Sequence, residues 1–287
     1  MLYTRRLAKN ELNTWLELEQ PPTAEEIQFV SAFLNLPDSM FFITTVEGRA
    51  IGGTAIYRDK TRLAVALIAA RLEAKLREDT ALQLFRASLP FFKTLSIRDV
   101  DAIVGSDNTT GRIPFPMDFT LQSWTCPALK MMGFQKATHT YGIILEGNKS
   151  AQVRSPLKRD NTPNYDGARE LLWNQRETIG LSCSQQWLAF DMAKARNTMA
   201  TFHLQGKICL AIAAESFRGG HLVPFFAANP EILSSEMIAE AFLQHFSEGP
   251  LIFSLLGKGQ KETINIIRNL CDSDSVIYEQ MLLRKQL

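Results

Sequence analysis

The sequence lacks any imbalance of charge: 31 Lys and Arg stand against 30 Asp and Glu over 287 residues. A formal charge of +1 creates no general field for a polyanion. Composition therefore argues for neither nucleic acid nor a membrane surface as partner and leaves only local patches open. Long apolar runs are missing too. None approaches the ~20 residues that a spanning helix needs, and Met1 to Asn10 carry Arg5 and Arg6 with no apolar core behind them. The expectation is a soluble, cytoplasmic protein. Cysteine is scarce and scattered, at Cys126, Cys183, Cys209 and Cys271, without the short paired spacings of zinc sites, so these are read as buried thiols. His139, His203, His221 and His245 are as dispersed and are read as packed or surface residues. No metal is expected.

What is present is α/β patterning, organised around Leu63 to Phe92. The run from Leu63 to Ala70 is short and apolar and reads as a buried strand. Past a charged turn, Leu82, Phe85, Leu89 and Phe92 recur at three and four residues, as one helix face requires, with Asp79 or Thr80 as cap and Pro90 set to kink or shorten the helix. Ahead of this stretch lie a strand over Leu2 to Leu7, a helix ending at Pro21-Pro22, and a helix from Thr23. Two strands, Met40 to Val46 and Ala50 to Tyr57, then flank Glu47-Gly48-Arg49, a hairpin turn in which glycine supplies positive φ. Beyond it come a strand over Val100 to Val104, a loop from Gly105 to Trp124, a short helix over Ala128 to Met132 and a strand over Tyr141 to Leu145. Residues 146–167 are polar and aperiodic, as a linker is.

The second half repeats the first. Gly48 and Gly206, Ala69 and Ala227, and Ala81 and Ala239 all stand 158 residues apart, an ungapped register over two strands and a helix start. In the second copy Asn229-Pro230 or Ser234-Ser235 opens the helix, whose stripe is Ile238, Phe242 and His245. A strand over Leu251 to Leu256, a helix over Glu262 to Leu270 and a strand over Val276 to Leu283 follow. The expected domains are 1–147 and 168–287 about a linker, 148–167. Gly257-Lys258-Gly259 lacks the spacing of a phosphate loop and is read as a plain loop.

This order of elements resembles the Gcn5-related N-acetyltransferase (GNAT) superfamily. The residues carrying the resemblance are the hairpin from Val46 to Tyr57, the strand ending Leu67-Ile68-Ala69, the helix from Thr80, and Leu129-Lys130-Met131-Met132-Gly133-Phe134. The resemblance implies two tandem α+β domains, each a mixed, largely antiparallel sheet flanked by helices. It implies an acyl-CoA cofactor, acetyl-CoA or another, and a small-molecule or peptide amine as substrate. Leu67, Ile68 and Ala69 would line pantetheine, while Arg77, Thr80 and Ala81 would face the pyrophosphate at the helix start. The family's turn usually reads Gln/Arg-x-x-Gly-x-Gly/Ala. Leu76 and Asp79 replace its first two features, and a carboxylate there repels a pyrophosphate. The second copy has Ser234, Met237 and Ala239 at these positions, which is bulk without charge. Leu129 stands where the family's proton-donating tyrosine usually does. Tyr141 or Cys126 would have to take that part, with Glu47 and Glu73 as candidate bases. Two functions stay open: an acyl-CoA-dependent N-acyltransferase with one working copy, or a non-catalytic ligand-binding or interaction module on the same fold.

Overall fold

Two hairpins show the repeat in its backbone. In a computed structural model, which describes residues 2–19, 21–59, 61–93, 97–105, 113–146, 156–243, 250–270 and 275–287, Glu47 and Gly48 have φ of 51° and 81°, and Gln205 and Gly206 have 50° and 80°. Positive φ at both central residues matches the twist of the flanking strands. The strands after these turns are β3 (Arg49–Asp59) and β9 (Lys207–Phe217), 158 residues apart at both ends. Against β2 (Ser39–Val46) the ladder skips Ile51, and against β8 (Met199–Leu204) it skips Cys209, so the bulge repeats at the same offset.

Two compact units form. The first contains Met1–Thr138 with Gln280–Leu287, the second His139–Glu279. In the first, the strand order is β1 (Leu2–Arg6), β2, β3, β4 (Ala64–Leu72), β5 (Asp99–Val104), β12 (Ser275–Gln286). The second has β6 (Gln135–Leu145), β11 (Leu251–Gly257), β10 (Gly220–Ala228), β9, β8, β7 (Lys158–Arg159). Each sheet is antiparallel but for one parallel pair, β4 with β5 and β10 with β11. The repeat thus folds as two copies of one mixed sheet, but packing cuts the chain otherwise than at 147 and 168. The last strand of the chain lies beside β5, the last strand of the first repeat beside β11. Parallel β4 and β10 are buried along almost their whole length, which is why both read as continuous apolar runs.

The helices are α1 (Leu12–Leu16), α2 (Ala24–Leu34), α3 (Arg77–Lys93) and α4 (Thr125–Met131) in the first unit. In the second they are α5 (Tyr165–Asn174), α6 (Arg176–Ile179), α7 (Cys183–Arg196), α8 (Ser235–Leu243) and α9 (Lys261–Arg268). Thr23 and Glu26 close a reciprocal cap on α2. α3 starts at Arg77, three residues before the expected Thr80, because a 3-10 turn over Ala74–Leu76 leads straight into it, and it runs through Pro90 to Lys93. Ser234 caps α8 by accepting from the Met237 amide at 3.4 Å. The expected linker holds β7 and the start of α5. Cys271 and His245 lie outside the described residues, as do the side chains of Phe92 and Phe242.

Asp101 on β5 is wholly buried and accepts two hydrogen bonds from Arg284 on β12, at 2.6 and 2.7 Å. Burial pushes its carboxyl above the ordinary value, and the guanidinium opposes that shift. Arg284→Met should therefore destabilise the protein by about 3 kcal/mol, since it strands a buried carboxylate. The double variant Asp101→Leu with Arg284→Met should recover most of the loss in denaturant melts. Equal loss in both would show that the strand, rather than the ion pair, carries the energy.

Candidate functional site

Each parallel pair is short. β4 and β5 are paired from Ala64 opposite Asp99 to Leu67 opposite Ala102, and β10 and β11 from His221 opposite Leu251 to Val223 opposite Phe253. Farther on, β5 follows β12 and β11 follows β6, while β4 and β10 stay with β3 and β9. Strands that part leave peptide groups on their facing edges without a ladder, and buried groups must find other partners. The two units supply them differently.

In the first unit the partner is backbone. The Leu121 amide donates to the Ile103 carbonyl at 2.7 Å and the Gly105 amide to the Leu121 carbonyl at 2.8 Å, a parallel bridge on the edge that β4 has left. Phe119 and Leu121 are buried, with Phe119 packed on Phe29 of α2 at 5.6 Å between ring centroids. Arg71, at 1 % exposure, lies between the rings of Trp15 and Phe115 at 5.3 and 5.1 Å and donates to the carbonyl of Leu16. Trp15 lies so close to β3 that a Cβ on Gly53 would come within 2.3 Å of its indole nitrogen. Burial pulls the guanidinium of Arg71 below its ordinary value, against the attraction of Glu19 and Glu26.

In the second unit the partners are glutamine side chains, each half used. Gln175 donates to the Ala228 carbonyl at the end of β10, and its Oε1 is buried without a partner among the described residues. Gln260 accepts from the Gly257 amide at 2.7 Å, and its Nε2 is the orphan. Gln186 of α7 donates to the Leu255 carbonyl at 2.9 Å, leaving its Oε1 unused. Gln175 and Gln260 line a cavity of about 560 Å³ with Asn174, Thr178, Asn229, Glu231, Lys261 and Glu262. It opens at the C-terminal ends of β10 and β11, and its volume suits a small organic ligand. The glycines of Gly257-Lys258-Gly259 admit its back wall. A Cβ at Gly257 would meet the Ile179 carbonyl at 2.1 Å and one at Gly259 the Thr178 carbonyl at 2.4 Å, so this loop serves close backbone packing.

The residues singled out in the sequence fall mainly in the first unit. Leu67, Ile68 and Ala69 are 0 to 1 % exposed beneath their own chain, and Ala81 is in the core beside Leu84. Thr80 is half-buried at the end of the first turn of α3, and the side chains of Arg77 and Asp79 lie outside the described residues. Leu129 fills the core. Cys126 and Tyr141 are half-buried against apolar clusters, Cys126 in the first unit and Tyr141 in the second. Glu47 is at an exposed hairpin tip, and Glu73 accepts two hydrogen bonds from Arg49 at 2.9 and 2.8 Å. His139 lies 3.3 Å from Glu279, His203 2.9 Å from Asp160, and His221 3.0 Å from Ser216. The glutamines were missed. Their signal is slight: the half-buried Gln175 follows a helix end, and Gln185-Gln186 sits inside α7, where polarity would mark a solvent face, yet Gln185 and Gln186 are buried.

No family model matches the chain, and no curated protein does. Solved structures do. A tandem GNAT protein from the clavulanic acid biosynthesis pathway superposes with a TM-score of 0.64 at 12% identity, over 100% of this chain and 98% of its own. A GCN5-related N-acetyltransferase from Sphaerobacter thermophilus gives 0.62 at 8%, over 99% and 95%, and one from Anabaena variabilis 0.58 at 11%, over 99% and 72%. The chain has the tandem GNAT fold. Among the described residues no helix is long and apolar enough to cross a membrane.

Asp118, two residues before the bridging segment's Thr120, accepts from the Thr120 hydroxyl at 2.7 Å, yet burial pushes its carboxyl up to about 6. A folded value above the ~3.9 of a free aspartate means the fold disfavours ionisation. The penalty is full above the folded value and disappears below the free one, so acidification from neutral pH should tighten the segment. Exchange at the Gly105 and Leu121 amides, corrected for intrinsic rate, should slow between pH 7.5 and 5 relative to β5. Asp118→Asn should show the slow rate throughout. A variant with the wild-type profile would assign the effect elsewhere.

Proposed function

We propose that the protein is an acyl-CoA-dependent N-acyltransferase that seats its cofactor in the second unit. The observation carrying this reading is the polar cavity at the C-terminal ends of β10 and β11, lined by Gln175 and Gln260, whose amides are each half unpaired among the described residues. The residues fit the group. A pantetheine arm is an extended chain with two amides, and the cavity wall carries Gln175 and Gln260, whose Oε1 and Nε2 are buried without partners among the described residues, a costly state until they are paired. Lys261 stands on the cavity wall as a cation for phosphate. When bound, an acyl-CoA supplies an activated acyl group as its thioester. The chain's own part is to hold the arm extended, exclude water, and present Glu231 and Glu262 to an ammonium entering the same cavity. Solved neighbours with GNAT names support the reading through the fold alone.

The test is calorimetry of acetyl-CoA and longer acyl-CoAs against the full chain, with amine acetylation as a second readout. Binding should be measurable, and Gln260→Ala should weaken it about tenfold, as loss of a buried hydrogen-bond donor does. No heat from any acyl-CoA would leave the non-catalytic ligand-binding or interaction module as the function of the fold.

A further inference from the structure

The offset of 158 residues lets each wall of the second unit's cavity be located in the first. Asn174, the last residue of α5, corresponds to Leu16, the last of α1, with Trp173 before one and Trp15 before the other. Asn229 corresponds to Arg71. In the second unit these two positions face a cavity. In the first they bond to each other, the Arg71 guanidinium donating to the Leu16 carbonyl. The paired tryptophans differ in the same sense: Trp15 is fully buried under Arg71, whereas Trp173 is 45% exposed and stacks with Arg176 at 4.4 Å. The neighbours at Gly53 and Ala211 complete the contrast. Glycine at 53 admits the indole to the sheet, while the second copy carries a Cβ there.

From these correspondences we infer that Arg71, clamped on Leu16, and the Phe115–Leu121 segment seal the first unit from within, so that, among the described residues, the one ligand seat lies in the second unit. Two interactions make the seal. Leu121 takes up the backbone edge that an extended ligand would use, and Arg71 fills the opening, held between two rings with its charge near Glu26 at 3.8 Å. A ligand entering there would have to break backbone hydrogen bonds on β5 and expel a guanidinium. In the second unit it would enter a cavity whose wall carries Gln175 and Gln260, each with half of its amide unpaired among the described residues.

The number of seats rests on the acyl-CoA reading; the seal itself does not, and the experiment separates them. Calorimetry with acetyl-CoA should give one equivalent per chain. Asn229→Arg should abolish it, and Asn174→Phe, on an exposed helix end, is a second way to fill the cavity should the first variant not fold. Arg71→Asn should leave stoichiometry at one and affinity within twofold. Independently of any ligand, hydrogen exchange should find the Gly105 and Leu121 amides protected, and Arg71→Asn should speed their exchange more than tenfold. Two equivalents in the wild type would overturn the proposal, as would a single site that survives Asn229→Arg and Asn174→Phe. Loop-like exchange at Gly105 and Leu121 would overturn the seal. Strong protection there with no acetyl-CoA bound would sink the transferase and leave the seal standing.

Discussion

Two parallel strands that part inside a protein leave peptide groups that water does not reach. Both halves of this chain are arranged around giving those groups partners. An unpaired buried carbonyl or amide costs on the order of 1–3 kcal/mol, so a fold that opens its sheet must close the account nearby. Where Leu121 does so, the result is a solid core: the bridge, Phe119 on α2 and Arg71 on Leu16 leave the strand before them wholly buried. Where Gln175, Gln186 and Gln260 do so, each reaches one backbone group and keeps half an amide in hand. One topology thus yields a closed unit and an open one.

The difference arises from a few positions. Arg71 and Asn229 occupy equivalent places at the ends of β4 and β10, and a long cation spans the gap that a short amide leaves. In the first unit Leu121 lies back along β5, whereas β11 passes through Gly257 and Gly259 into α9 within four residues. With no chain to spare, the second unit relies on side chains. The glycines let α6 approach and shape the back of the cavity.

Much of the fold was legible because it is written locally. Glycine at 48 and 206 fixed the hairpins, Thr23 with Glu26 fixed the start of α2, and the constant offset exposed the duplication. Two things were not legible. The partner of β5 lies at the far end of the chain, in β12, and no periodicity within either repeat encodes which copy's last strand will lie there. The candidate site was hidden for a related reason. Family resemblance directed attention to Leu67–Ala69 and the start of α3, whereas the contacts proposed to close that unit join Arg71, Leu16 and Leu121, scattered over about a hundred residues and unremarkable alone. Buried glutamines imitate surface ones in sequence, since only packing reveals that their amides are enclosed.

The two ways of satisfying a parted edge differ in how readily they yield. Releasing Leu121 means giving up two backbone hydrogen bonds together and exposing Phe119 and Leu121, which the core now encloses. Displacing a glutamine amide means a change of rotamer, with a ligand's own amide available to restore what is lost. Side-chain partners therefore suit a site that must exchange occupants, and backbone partners suit one that must stay shut. A duplicated fold can carry both solutions because the stability of the closed copy does not depend on a ligand. Its sheet is completed instead by a strand whose Arg284 neutralises the one carboxylate buried on β5, Asp101.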